Sequence, residues 1–128
     1  MKKKPKISRL KILIAEDDEV SAMLLTIILQ EYHEEILRVK TGIEAVDICR
    51  INPDIDLILM DIQMPNLNGD DAVRYIREFN KEVIIIAQTG LALTSEIKPL
   101  IEAGCNSYLS KPINKVKLLA LIDVYFKK

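Results

Sequence analysis

The chain has 128 residues, with 18 basic and 19 acidic side chains and a formal net charge of −1. That length fits one domain, and 49 % hydrophobic with 29 % charged residues is a globular balance that excludes a disordered chain. No apolar run exceeds five residues, far below the ~20 a membrane span needs, and two cysteines with one histidine make neither a disulfide framework nor a zinc site.

The start is basic. Lys2, Lys3, Lys4, Lys6, Arg9 and Lys11 precede the first acid, leaving 12 basic against 19 acidic groups in the other 117 residues. Residues 1–9 read as a solvated leader or linker and 10–128 as the folded domain. The acidic body, with no basic aromatic stripe, argues against direct nucleic-acid binding, and no apolar signal-peptide core precedes it. The expected setting is the cytoplasm, with no membrane insertion in this segment.

The first strand is Ile12-Leu13-Ile14-Ala15, running into Glu16-Asp17. Val20, Met23, Leu24, Ile27 and Ile28 follow at helical spacing and predict a helix burying that stripe, with Asp18 and Glu19 near its cap. His33 falls after this helix and reads as an exposed loop residue. Ile36 to Val39 alternate, which suits an edge strand; Ala45, Ile48 and Cys49 predict a second helix ended by Asn52-Pro53. Both Cys49 and Cys105 read as reduced, packed thiols. Leu57-Ile58-Leu59-Met60 predicts a buried strand ending at Asp61, and Ala72, Tyr75, Ile76 and Phe79 a third helical stripe.

Val83 to Ala87 predicts a fourth strand shortly before Thr89. The next helix is expected to start around Ser95 to Ile97, or to be irregular before Pro99, and to end at Ala103-Gly104. Tyr108-Leu109-Ser110 forms the last strand before Lys111, and Val116, Leu119, Ala120 and Val124 mark the last helix. Five strands alternating with five helices give an α/β class, a parallel sheet with helices on both faces.

In such a sheet the strands' carboxyl ends share one rim, which gathers Glu16, Asp17, Asp61, Thr89 and Lys111. If the first and third strands are neighbours, ~4.8 Å apart, Asp17 and Asp61 can share one ion. Crowded carboxylates call for a cation, and oxygen-only ligands suit Mg²⁺. Lysine and a hydroxyl opposite them suit a phosphoryl group, with an aspartate able to act as nucleophile.

These motifs resemble the receiver, or phosphoacceptor, domain of bacterial two-component response regulators and hybrid histidine kinases. The resemblance runs over roughly residues 10 to 126 and rests on Ile-Leu-Ile-Ala-Glu16-Asp17-Asp18, Leu-Met-Asp61-Ile-Gln-Met-Pro65-Asn-Leu-Asn-Gly69, Ala-Gln-Thr89-Gly90 and Ala103-Gly104-Cys-Asn-Ser-Tyr108-Leu-Ser-Lys111-Pro112. It implies a flavodoxin-like, doubly wound sheet of strand order 2-1-3-4-5. It also implies that Asp61 takes the phosphoryl group from a phosphohistidine. Asp17 would ligate Mg²⁺ directly, Glu16 through water, and the Gln63 main-chain carbonyl would add a ligand. Thr89 would bond the phosphoryl oxygen, Lys111 would pair with it, and Tyr108 would turn inward as the switch. Pro65 and Gly69 would shape the loop beyond Asp61, and the Lys111–Pro112 bond would be cis.

Two features depart from the pattern. Gly90 stands where a small alanine-like residue is usual, and Pro99 falls in the helix the family uses for output. The implied partners are a histidine kinase or phosphotransfer domain, with room for a weak homodimer. The wording of Asp-Ile-Gln-Met-Pro and Tyr-Leu-Ser-Lys-Pro-Ile favours the C-terminal receiver of a hybrid histidine kinase, the cytoplasmic part of a membrane-anchored kinase among the settings, over a stand-alone regulator. An aspartyl-nucleophile Mg²⁺ phosphatase is a further alternative, disfavoured because Gln63 stands where such enzymes carry a second acid. A receiver-like binding module without phosphorylation is disfavoured because every acid is kept.

Overall fold

The computed structural model describes residues 9–90 and 94–126, with the backbone alone at 33, 34 and 94–96. The basic run before Arg9 therefore lies outside the described residues. The elements are β1 (Leu10–Ala15), α1 (Glu19–Ile28), β2 (His33–Val39), α2 (Gly42–Ile51), β3 (Leu57–Asp61), α3 (Gly69–Phe79), β4 (Ile84–Thr89), α4 (Thr94–Ala103), β5 (Ser107–Ser110) and α5 (Lys115–Phe126). All strand pairs are parallel, in the order β2-β1-β3-β4-β5, as expected of the flavodoxin-like arrangement.

Apolar side chains on both faces of the inner strands bind two helical layers. Leu13, Ala15, Ile58, Met60, Ile85 and Ala87 pack against α2, α3 and α4. Ile12, Ile14, Leu57, Leu59, Ile86 and Leu109 pack against α1 and α5. Each fully buried Leu or Ile contributes roughly 1.5–3 kcal/mol relative to exposure. Among the described residues no helix is long and apolar enough to cross a membrane.

The helical faces need correction. In α1 the buried side chains are Ala22, Leu25 and Ile28, whereas Val20, Met23, Leu24 and Ile27 are exposed. Both stripes are apolar at helical spacing, so periodicity could not choose between them. The turn Glu16 to Asp18 is only three residues long, and Asp18 caps the helix by accepting from the Ser21 N–H at 2.8 Å. A connection this short sets the helix's rotation. In α5, Leu118 and Ile122 are buried while Val116 and Val124 are exposed, because the apolar run Leu118 to Ile122 also hides its phase. In α3, Ala72 and Ile76 are buried as expected, joined by Val73, but Tyr75 and Phe79 are exposed. Phe79 carries the Arg50 guanidinium 4.9 Å above its ring. His33 is no loop residue; it is the first residue of β2.

The fourth helix begins at Thr94, one residue before the expected window, with Pro99 inside it. It ends as expected. Gly104 takes φ +125°, its N–H donates to the Ile101 carbonyl at 3.0 Å, and the Cys105 N–H donates to Leu100 at 3.1 Å. These paired bonds close the last turn in the manner that favours glycine.

Burial pushes the thiols of Cys49 and Cys105 up to about 12. Both should stay unalkylated by iodoacetamide at pH 8 in the folded chain and react fully in denaturant, as read by intact mass. Because the folded values lie above the ordinary thiol value of 9.0, their contribution to stability is complete below pH 9.0 and fades as pH rises toward 12.

Candidate functional site

Register sets the site. In a parallel sheet paired residues point to the same face, and Asp61, the last residue of β3, pairs with Gln88 of β4, which pairs with Leu109 of β5. The ladder continues past the strand ends: Glu16 donates its N–H to Val39 at 3.0 Å, Ile62 to Gln88 at 3.1 Å, and Lys111 to Thr89 at 2.8 Å. Glu16, Asp61 and Lys111 are thus delivered to one rim by backbone bonds, before any side chain meets another.

There the Lys111 Nζ lies 3.2 Å from Asp61 Oδ2 and 3.2 Å from Glu16 Oε1. The remaining oxygens take backbone donors, Asp61 Oδ1 from the Gln63 N–H at 3.2 Å and Glu16 Oε2 from the Asp18 N–H at 3.1 Å. Glu16 is 0 % exposed and Asp61 4 % exposed, while Asp17 opens to solvent. Burial, helped by the charge of Asp61, raises the Glu16 carboxyl above its ordinary value against the pull of the Asp18 N–H and Lys111. For Lys111 burial works against the charge, but the carboxylates of Asp61 and Glu16 outweigh it and leave the ammonium raised. One lysine thus sits between two buried acids.

Carboxylate oxygens of Glu16, Asp17 and Asp61 all fall within 4.8 Å of one another. This donor set is oxygen-only, crowded and open on the Asp17 side, which fits a hard divalent cation that keeps water ligands.

The other expected residues surround this point. Thr89 is buried at the end of β4, and its pairing with Ser110, like that of Ala87 with Tyr108, puts Thr89 and Tyr108 on the same sheet face. Tyr108 is 36 % exposed. Pro65 is exposed in the loop after Asp61, where Asn66 takes φ 71°, and the Gly69 N–H closes that loop on the Ile62 carbonyl at 2.8 Å. The Lys111–Pro112 bond is cis.

Two residues at the site escaped notice in the sequence. Gln88 is 1 % exposed beside Asp61, and among the described residues neither of its amide atoms has a hydrogen-bond partner. Its signal was a polar residue directly continuing the apolar run Val83 to Ala87. Arg38 reaches across from β2 to the carbonyl of Glu16; its signal was a lone cation in an alternating strand.

Residues 12–123 match the family model described as the response regulator receiver domain. The chain belongs to that family. This receiver domain is 30 % identical over 116 residues to the polar-differentiation response regulator DivK of Brucella ovis, covering 89 % of this chain and 94 % of that one. Among solved structures it is similar to the receiver domain of the sensor histidine kinase PA1611 from Pseudomonas aeruginosa PAO1. There the TM-score is 0.82 at 33 % identity, with 91 % and 96 % of the two chains covered, and a magnesium ion is coordinated in that protein's active-site cleft. It is also similar to a chain in the co-crystal structure of the Saccharomyces cerevisiae phosphotransfer protein Ypd1 with the receiver domain of Ssk1. That match has a TM-score of 0.86 at 30 % identity, covering 93 % and 90 %.

Proposed function

We propose that this receiver domain accepts a phosphoryl group from a phosphohistidine onto Asp61, with Mg²⁺, and changes conformation in response. The observation that carries this is the buried Asp61 carboxylate held 3.2 Å from Lys111 beside two further acids. Asp61 supplies the attacking oxygen, and the Lys111 ammonium offsets the charge of the transferred group. Asp17, Asp61 and the Gln63 main-chain carbonyl would hold the metal, with Glu16 acting through water. The bound cation supplies charge neutralisation at the phosphoryl oxygens. Thr89 bonds the phosphoryl oxygen and Tyr108 moves inward from its exposed position, the differential contact a two-state switch requires.

The exposed stripe Val20, Met23, Leu24 and Ile27 begins beside the acidic turn and makes an apolar face for the donor's helix. The donor is a histidine kinase or phosphotransfer domain in the cytoplasm, and the likeness to the PA1611 receiver supports an origin as the C-terminal receiver of a hybrid kinase. A stand-alone regulator is the second reading, supported by the likeness to the response regulator DivK.

Incubation with a small phosphodonor and Mg²⁺, followed by intact mass, tests the reading. One stoichiometric adduct of about 80 Da is expected. Multiple turnover without an adduct would point to a phosphatase, and neither would point to a binding module. Separately, Mg²⁺ should raise the melting temperature of the wild type and leave Asp17→Ala nearly unmoved. A full response in that variant would remove Asp17 from the metal site.

A further inference from the structure

The turn that carries Asp17 is anchored from outside the acidic site. Arg38, three-quarters buried on β2, donates from Nε at 3.1 Å and from Nη2 at 2.8 Å to the main-chain carbonyl of Glu16. Its third arm, Nη1, donates to Glu19 Oε1 at 2.6 Å, and the other oxygen of Glu19 lies 2.8 Å from the Lys40 Nζ. The turn is therefore gripped on both sides of Asp17 and Asp18, at Glu16 and at Glu19. The Glu16 carbonyl belongs to the peptide plane that leads into Asp17, so a two-pronged grip on that oxygen fixes the plane from which the Asp17 side chain departs. A planar guanidinium can make this grip and an ammonium cannot.

We propose that Arg38 is a positioning residue for the metal-binding turn, acting through the Glu16 carbonyl to hold Asp17 where it meets Asp61. The proposal rests on the reading of Glu16, Asp17 and Asp61 as a Mg²⁺ site. Two opposite influences make it decidable. As a nearby positive charge Arg38 repels a divalent cation, so an effect of charge alone predicts tighter Mg²⁺ binding when it is removed. As a clamp it preorganises a ligand, so its loss weakens binding, and supports of this kind are typically worth about 10-fold or more in metal affinity.

The experiment is calorimetric or melting-shift titration of the full chain with MgCl₂, with no phosphodonor present. Arg38→Lys keeps the charge and loses the fork, and Arg38→Met loses both. Lys40→Met removes a neighbouring cation that does not touch the Glu16 carbonyl. A rise of about 10-fold in Kd for both Arg38 variants, with an equal or lower Kd for Lys40→Met, is the expected result. Should Arg38→Met fold poorly, Arg38→Lys decides the question by itself. Wild-type affinity in Arg38→Lys, or tighter binding in Arg38→Met matching that in Lys40→Met, overturns the clamp and leaves the metal site standing. A wild type that ignores Mg²⁺ overturns the site itself and the clamp with it.

Discussion

Asp61→Asn should reduce phosphoryl labelling by small donors to background, a loss of at least about 100-fold, while the chain stays folded. An amide has nearly the shape of the carboxylate but cannot attack phosphorus as an anionic oxygen does. The fold has little reason to resist the change. Lys111 keeps Glu16 at 3.2 Å, the Gln63 N–H keeps an oxygen acceptor, and the buried Glu16 carboxyl is relieved of a neighbouring negative charge. Circular dichroism and melting of the variant, run beside the labelling assay, separate loss of chemistry from loss of fold. Labelling that persists would place the acceptor elsewhere.

Gly69→Ala should be a strongly damaging small substitution beside Asp61. A Cβ built on Gly69 would meet the carbonyl of Asp61, the Ile62 Cα at 2.7 Å and the Asp61 carbonyl carbon at 3.1 Å. All of these are backbone atoms of the segment that carries Asp61, so no side chain can swing aside. One methyl must push α3 away from the end of β3 or move the loop from Ile62 to Asn68. Overpacking of this sort costs about 1–3 kcal/mol, a fall of roughly 3–12 °C in melting temperature for a domain this size. Moving the loop also shifts the Gln63 carbonyl, so the melting gain from added Mg²⁺ should shrink in the same variant. Wild-type melting and a wild-type Mg²⁺ response would show that the loop gives way freely.

The strands and their rim were legible because β1 and β3 are short apolar runs broken abruptly by an acid, β4 is one that ends in Gln88-Thr89, and β5 leads directly into Lys111. Such breaks mark where a buried sheet meets solvent, and a parallel sheet brings all of them to one side. Glu16, Asp61 and Lys111 could therefore be placed together from the residue order alone. Helix faces were harder. Every position of α1 except Glu19, Ser21 and Thr26 is apolar, so although Ile28 is buried as expected, Val20 and Ile27 compete on equal terms with Ala22 and Leu25 until the short turn from β1 sets the rotation. Arg38 and Gln88 show in the sequence only as a lone cation and an amide after an apolar run, which does not reveal their place at the site. Their neighbours, the Glu16 carbonyl and Asp61, are supplied by strand pairing, and nothing local to either residue announces that pairing.

The most direct test of Asp61 as the acceptor is to find where the phosphoryl group lands on the wild-type chain. After incubation with a small phosphodonor and Mg²⁺, borohydride reduction converts an aspartyl phosphate to homoserine, and peptide mapping reads the position. The expected result is a single modified residue, Asp61, in the peptide that spans β3 and the loop to Gly69. Modification at Asp17, at His33 or at a hydroxyl residue, with Asp61 intact, would contradict it.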